Sequence, residues 1–279
     1  MRIVFMGTPD FSVPTLKALV EAGHDVAAVV TQPDKPKGRG KEMQMTPVKV
    51  QALEYKIPVY QPAKVRDQAF IQVLREMDAD VFVVIAFGQI LPKDVLELPR
   101  YGCVNIHASL LPKYRGAAPI QWCVIDGEKE TGITTMMMDV GLDTGDMLEK
   151  VVIPIGDKET GGSLHDKLSL AGGSLILSTL RKLEEGTAVR TPQTEEGTCY
   201  AKMLTKSLGD IDWNQDARSI ERLIRVALSD RHCLAVRTGQ GLLSIKELQM
   251  EGKKRMDIET FLRGYPIPAG DVFVNRTQQ

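Results

Sequence analysis

Asp80-Val81-Phe82-Val83-Val84-Ile85-Ala86-Phe87-Gly88 decides the fold of this 279-residue chain. Val81 to Phe87 is its longest uninterrupted apolar run, far short of the ~20 residues that a bilayer-spanning helix needs. Charge bounds the run on one side and Gly88 on the other. Its β-branched content predicts a strand over Val81–Ile85 that is buried on both faces. The same texture recurs outward from it: Ile3–Met6, Val26–Thr31, Val59–Tyr60 and Cys103–Ile106 read as further strands. Between them Val13, Leu16, Leu19 and Val20 repeat at helical spacing, and Pro47–Tyr55 and Ala69–Met77 read as helices. We therefore expect an α/β fold, a Rossmann-like, mostly parallel sheet with helices on both faces. Sites in such sheets lie beyond the carboxyl ends of the strands. The segments after Met6, Ile85 and Ile106 are where chemistry is expected.

Beyond Leu183 the texture changes. Glu184-Glu185-Gly186-Thr187 ends a helix, a polar stretch follows, and Cys233–Arg237 and Leu242–Lys246 read as strands after a helix over Ala217–Ile224. We expect a larger domain over 1–190, a linker over 191–207 and a smaller β-rich domain over 208–279. Apolar content of 43% with 25% charged residues excludes disordered, collagenous and disulfide-scaffold classes. A net charge of −1 removes any global case for nucleic-acid or membrane binding, so local charge must make it. Residues 201–279 hold 13 Lys and Arg against 10 Asp and Glu, and residues 1–200 hold 22 against 26, a modest split of +3 and −4. The start of the chain reads as a strand rather than a signal peptide. Four cysteines without a C-x-x-C pair point away from zinc and disulfides and toward a reducing cytoplasm. No metal is expected.

Gly7-Thr8-Pro9-Asp10 sits where a dinucleotide fingerprint would, but the G-x-G-x-x-G pattern is absent, so NAD binding is disfavoured. Gly7 alone can equally serve the strand-to-helix turn. Lys35-Pro36-Lys37-Gly38-Arg39-Gly40-Lys41 is not a Walker loop; it reads as a flexible basic loop that can close on an anion such as a nucleic-acid backbone, or have no partner. Asn105-Ile106-His107-Ala108-Ser109-Leu110-Leu111-Pro112 is the most informative stretch. Asn105 and His107 are two apart on an extended segment and share one face. An amide and an imidazole at a strand's carboxyl end suit the stabilisation of an oxyanion at a carbonyl carbon. In Asp139-Val140-Gly141-Leu142-Asp143-Thr144-Gly145-Asp146 the spacing does not match a calcium loop. A carboxylate there can orient a histidine, and a polar turn between two strands explains the same residues; both readings stay open. No credible nucleophile appears, since Ser109 lacks the G-x-S-x-G elbow.

The stretch Asn105–Ile120 resembles the signature of the folate-dependent formyltransferases, in the branch that formylates initiator methionyl-tRNA. Phe5–Phe11, Thr31–Asp34, Met138–Met147, Ile211–Trp213 and Glu251–Met256 match that family in the same order, so the resemblance spans nearly the whole chain. It implies catalytic roles for Asn105, His107 and Asp143. It implies folate contacts at Ser109, Leu110, Leu111 and Pro112, and a pterin pocket at Phe87, Gly88, Gln89 and Ile90 within the loop Ala86–Leu91. It places the loop that clasps the tRNA acceptor end at Asp34–Val48, with Lys35, Lys37, Arg39 and Lys41. The implied cosubstrate is 10-formyltetrahydrofolate, the implied partner initiator methionyl-tRNA, and the implied state a cytoplasmic monomer without membrane contact. The family's small domain is an OB-like barrel. Here Arg225–Leu228 runs directly into Ser229–His232, so the barrel is short of about a strand pair near 226–231. Either the chain is truly shortened there or a loop is absent from these residues; losing two strands would expose edges, so the second is the expected reading. The rivals are a family member acting on glycinamide ribonucleotide or an amino-sugar nucleotide, and a catalytically silent RNA-binding protein. The second domain argues against the glycinamide enzymes, which have one domain, and the intact Asn105, His107 and Asp143 argue against a silent protein.

Overall fold

The computed structural model describes residues 1–37, 42–209, 211–227, 234–238, 240, 242–245, 247–250, 252–265 and 267. Two units separate: Met1–Pro119 with Glu130–Pro154 and His165–Ala201, and Ile120–Lys129 with Ile155–Leu164 and Lys202–Gln279. Among the described residues no helix is long and apolar enough to cross a membrane.

The strands up to residue 201 are β1 (Arg2–Gly7), β2 (Asp25–Val30), β3 (Lys35–Lys37), β4 (Glu42–Gln44), β5 (Val59–Tyr60), β6 (Val81–Ile85), β7 (Cys103–His107), β8 (Arg115–Gly116), β9 (Glu130–Met137), β10 (Met147–Pro154) and β11 (Tyr200–Ala201). The helices are α1 (Val13–Glu21), α2 (Pro47–Glu54), α3 (Gln68–Glu76), α4 (Lys93–Leu96), α5 (Pro119–Asp126) and α6 (Gly161–Glu184). Seven strands form one sheet in the order β10-β9-β7-β6-β1-β2-β5. From β5 to β7 every pairing is parallel, while β9 and β10 add an antiparallel edge. The expected α/β, mostly parallel architecture is what forms.

β6 lies at the middle of this sheet, and all five of its residues are buried. Val83 pairs with Phe5 on one side and Val104 on the other. Burying each such side chain contributes roughly 1.5–3 kcal/mol, which is why an unbroken apolar run belongs there. The helices start where local chemistry allows. Thr46 caps α2 by accepting the Lys49 N–H at 3.2 Å, with Pro47 in the first turn. α3 turns Ile71 and Leu74 inward.

The chain runs from β1 outward to β2 and β5, then returns to β6 and continues to β7 on the other side. That reversal is the switch point at which such sheets hold ligands, beyond the strand ends Gly7 and Ile85. Gly7 is needed for closeness: a Cβ there would stand 2.9 Å from both the Phe5 ring and the Ser12 Cβ. The turn reading of Gly7 therefore has a physical basis.

Two segments differ from their sequence reading. Lys35–Lys37 and Glu42–Gln44 are not aperiodic: β3 and β4 pair as the antiparallel strands of a hairpin, with Lys35 opposite Gln44 and Pro36 opposite Met43. The expected linker over 191–207 belongs to the first unit as far as Ala201, where β11 pairs in parallel with β8. Within it Gln193 donates to the Asp143 and Gly145 carbonyls.

In the second unit α7 (Ala217–Ala227) is followed by β12 (Leu234–Arg237) paired with β13 (Leu242–Ile245), then β14 (Glu247–Leu248) paired with β15 (Met256–Asp257), and α8 (Ile258–Gly264). Asp216 caps α7 by accepting the Arg218 and Ser219 N–H groups. Arg222 donates to the Ile125 carbonyl at 2.9 Å and Arg225 to that of Asp157 at 2.6 Å. These bonds explain why 120–129 and 155–164 cluster with this unit. The sequence reading places the shortened barrel near 226–231, of which 228–231 lie outside the described residues.

Candidate active site

β7 delivers two polar side chains to the sheet's carboxyl edge. Alternation puts Asn105 and His107 on one face and Val104 and Ile106 on the other, and all four are buried. Register fixes their neighbours: Asn105 lies between Val84 and Met136, and His107 lies opposite Thr134. Among the described residues the Asn105 carboxamide has no hydrogen-bond partner, which leaves its donors available.

His107 is oriented from both sides. Its Nε2 lies 2.8 Å from the Tyr114 carbonyl oxygen. A carbonyl only accepts, so Nε2 carries the proton. Tyr114 has a left-handed φ of +60° as the chain turns back after Leu111 and Pro112. Nδ1 faces Asp143 Oδ2 at 3.8 Å. That same carboxylate oxygen accepts the Gly116 N–H at 2.8 Å.

Asp143 comes from the loop between β9 and β10, with φ of +55°. Short polar residues tolerate this left-handed conformation better than others. Gln193 holds the loop: its side-chain nitrogen donates to the Asp143 and Gly145 carbonyls, each at 2.8 Å. Its oxygen accepts from Arg115 Nε at 2.9 Å. The sequence left two meanings for this loop open. The geometry brings Asp143 to the histidine, as a carboxylate that orients an imidazole must be.

The segments assigned to folate flank these groups. Phe87 is buried, and its carbonyl accepts from Thr8 Oγ1 at 2.9 Å and Gln32 Nε2 at 3.2 Å. Gly88 takes φ of +82°, which glycine permits at little cost. Gln89 is committed to the backbone, accepting from Val65 N and donating to the Pro62 carbonyl. Ile90, in contrast, is 82% exposed. Ser109 is buried and donates its hydroxyl to the Lys113 carbonyl at 2.6 Å, while Leu111 packs with Met136 and Met147. Leu110 and Pro112 are half-buried. Thr134 Oγ1 ties the segment down by donating to the Ser109 carbonyl and accepting the Leu111 N–H. Lys150 donates to the Leu111 carbonyl at 2.5 Å, and partial burial holds its ammonium below the usual lysine range.

Of the basic residues, Lys35 is exposed on β3 and Lys37 is on the same strand. Arg39 and Lys41 lie outside the described residues. The base of this hairpin is anchored by Asp34, whose carboxylate meets Lys49 Nζ at 2.5 Å and Gln61 Nε2 at 2.7 Å. Donation from Lys49, then from Gln61, keeps that carboxyl below its usual range.

Nucleophilic chemistry has no support here. Cys103, on the strand that carries Asn105, has its thiol pushed up to about 12 by burial and stays protonated near neutral pH. Among the described residues no group of three His, Cys, Asp or Glu side chains could hold a metal ion. Sequence reasoning missed Arg115, Thr134 and Gln193. Arg115 stands inside the quoted signature, but nothing in its spacing shows that it is buried. Gln193 lies in a stretch whose polarity reads as solvent exposure.

Comparison with known proteins places these features. The family described as formyl transferase matches residues 1–180, and its C-terminal domain matches 225–266. A methionyl-tRNA formyltransferase of Agathobacter rectalis is 51% identical over 308 aligned positions, covering 98% of this chain and 99% of its own. A sugar N-formyltransferase of a Shewanella species superimposes with a TM-score of 0.63 at 19% identity, over 88% of this chain and 96% of its own. A sugar 3N-formyl transferase solved in the presence of dTDP and 5-N-formyl-THF gives 0.62 at 21% identity, over 81% and 78%. Those two likenesses concern the fold.

Proposed function

The chain belongs to the formyl transferase family, and on that premise we propose that it moves the formyl group of 10-formyltetrahydrofolate to the α-amine of initiator methionyl-tRNA. The acceptor is supported by the full-length relationship to a methionyl-tRNA formyltransferase at 51% identity. One observation carries the reaction class: an unpartnered Asn105 amide and an imidazole held 3.8 Å from Asp143 stand on one face of a strand end.

The neutral amine attacks the formyl carbon directly, and charge develops on the formyl oxygen. Asn105 donates its side-chain N–H to that oxygen, and protonated His107, its Nε2–H held by the Tyr114 carbonyl, donates from Nδ1 beside it. Asp143 stabilises the imidazolium across the 3.8 Å gap. The attacking nitrogen must lose a proton and the folate nitrogen must gain one as the carbon–nitrogen bond breaks; Asp143 and His107, with a water, carry it. The exposed Ile90 and the segment Ser109–Pro112 offer apolar surface and backbone groups suited to a flat pterin and its amide-linked ring. The cosubstrate is folate and no metal takes part. We place the enzyme in the cytoplasm as a monomer, with chemistry in residues 1–190 and tRNA grip in 208–279, a small OB-like domain, aided by Lys35, Lys37, Arg39 and Lys41.

Initiator methionyl-tRNA, elongator methionyl-tRNA, glycinamide ribonucleotide and an amino-sugar nucleotide, assayed in parallel with 10-formyltetrahydrofolate, test the acceptor. Initiator methionyl-tRNA should be formylated fastest; faster turnover of a small-molecule acceptor would overturn the assignment. Arg39→Ala should weaken tRNA use, spare folate binding, and lower the slope of log affinity against log salt by about 1. An unchanged slope would remove Arg39 from the tRNA contacts.

A further inference from the structure

Of the three catalytic candidates Asp143 alone lies off the strands, yet its carboxylate must stay beside His107. Two devices fix it, and both come from the segment 191–201. The first acts on the carboxylate. Gly116, whose N–H donates to Asp143 Oδ2, is the second residue of β8, and β8 is held by its parallel pairing with β11 and by Arg115 N donating to the Cys199 carbonyl at 2.9 Å. The second acts on the backbone. Gln193 Nε2 uses its two hydrogens on the Asp143 and Gly145 carbonyls, both at 2.8 Å.

The orientation of Gln193 is unambiguous. Carbonyls cannot donate and a guanidinium cannot accept, so the nitrogen must face the loop and the oxygen must face Arg115. Arg115 is 2% exposed. A buried guanidinium is costly unless it is bonded, and its Nε donates to Gln193 Oε1 at 2.9 Å while Nη1 stands 3.5 Å from Glu195. Thr191 exchanges two backbone hydrogen bonds with Met147, at 2.8 and 2.9 Å, and so sets the start of the segment against the first residue after the loop. The loop itself has little slack: a Cβ at Gly145 would lie 1.7 Å from the Met137 carbonyl oxygen.

We propose that Gln193, aimed by Arg115, is a positioning residue for formyl transfer, holding the left-handed backbone of Asp143 so that its carboxylate meets the His107 imidazole. The proposal rests on the reading of Asp143 as part of the catalytic site. Gln193 touches no reacting atom; it acts through Asp143 alone. Its loss should therefore lower kcat and leave the binding of both substrates intact.

Gln193→Leu and Gln193→Glu are made in the full chain, alone and combined with Asp143→Asn, and formyl transfer to initiator methionyl-tRNA is measured. Glu at 193 still accepts from Arg115 but cannot donate to the two carbonyls, so it keeps the buried guanidinium partnered while releasing the loop. Each single variant should lose about 10–100-fold in kcat, as a misplaced catalytic group does, with KM for folate and tRNA within about twofold of wild type. In the Asp143→Asn background the same changes should cost less than about twofold, because the group they position is already gone. Wild-type kcat in Gln193→Glu, or an equal loss with and without Asp143, overturns the proposal while Asp143→Asn remains crippled. A fully active Asp143→Asn enzyme overturns the site reading, and the proposal with it.

Discussion

Asn105 and His107 stand on a central strand, and Asp143 stands on a loop; the two halves of the site are held by different physics. β7 is fully buried and paired on both sides, so its two polar side chains take their direction from the pleat and need few bonds of their own. Asp143 takes its place from a left-handed backbone, a donated N–H from Gly116 and two donated hydrogens from Gln193. A strand positions by periodicity and a loop by hydrogen bonds from elsewhere in the chain. Substitutions on β7 should therefore disturb chemistry alone, and substitutions around the loop should disturb chemistry and local stability together.

The largest effects test whether the halves act as one unit. His107→Ala and Asp143→Ala should each lower kcat by about 10³-fold or more, and the double variant should be little worse than either. A loss equal to the product of the two would mean that strand and loop contribute independently. Next, Asn105→Ala should cost ~10²–10³ in kcat, as loss of an oxyanion donor does, with folate affinity and thermal stability near wild type. A large fall in melting temperature would show that the strand residue is structural.

Gly145→Ala puts the comparison on the loop side. A Cβ would enter the space of the Met137 carbonyl oxygen, so the loop must shift, costing about 1–3 kcal/mol of stability and about tenfold in kcat. Unchanged kcat would show that Asp143 keeps its place without the loop's native path.

The smallest effect is expected on the edge strand β10. Burial pushes the Glu149 carboxyl up, but donation from Lys182, Thr179 and Ser178 outweighs this and leaves it below its ordinary value of 4.5. Its stabilisation is complete above the unfolded value and is lost as pH falls through the lower folded one. Glu149→Gln should cost about 1 kcal/mol at neutral pH, a difference that closes on acidification below the ordinary carboxylate range, with kcat unaltered. A stability gap that persists in acid would assign the loss to packing instead of charge.

How much of this was legible beforehand follows the same divide. Strand signals carry their own geometry: Val81–Ile85 announced a buried strand, and the two-residue spacing of Asn105 and His107 announced a shared face. For Asp143 the residues alone offered two meanings, because a carboxylate between glycines looks the same whether it turns a chain or reaches a histidine. Arg115 and Gln193 gave no local sign, since their partners lie 78 residues apart in sequence. The pairing of β3 with β4 was hidden by the run Lys35-Pro36-Lys37-Gly38-Arg39-Gly40-Lys41, which reads as a loop.

Periodicity, apolar runs and the long signature from Asn105 to Ile120 were enough to determine the parallel sheet, the edge that carries the site, and two of its three catalytic candidates. These are properties of neighbours along the chain, where a fixed pleat converts spacing into direction. Only the tertiary structure decided that Asp143 faces His107, that the Tyr114 carbonyl bonds the imidazole, and that Gln193 bonds the loop that carries Asp143. Each of those depends on hydrogen bonds between distant segments, and the strength of such bonds is set by where the fold places donor and acceptor, not by the residues beside them in sequence.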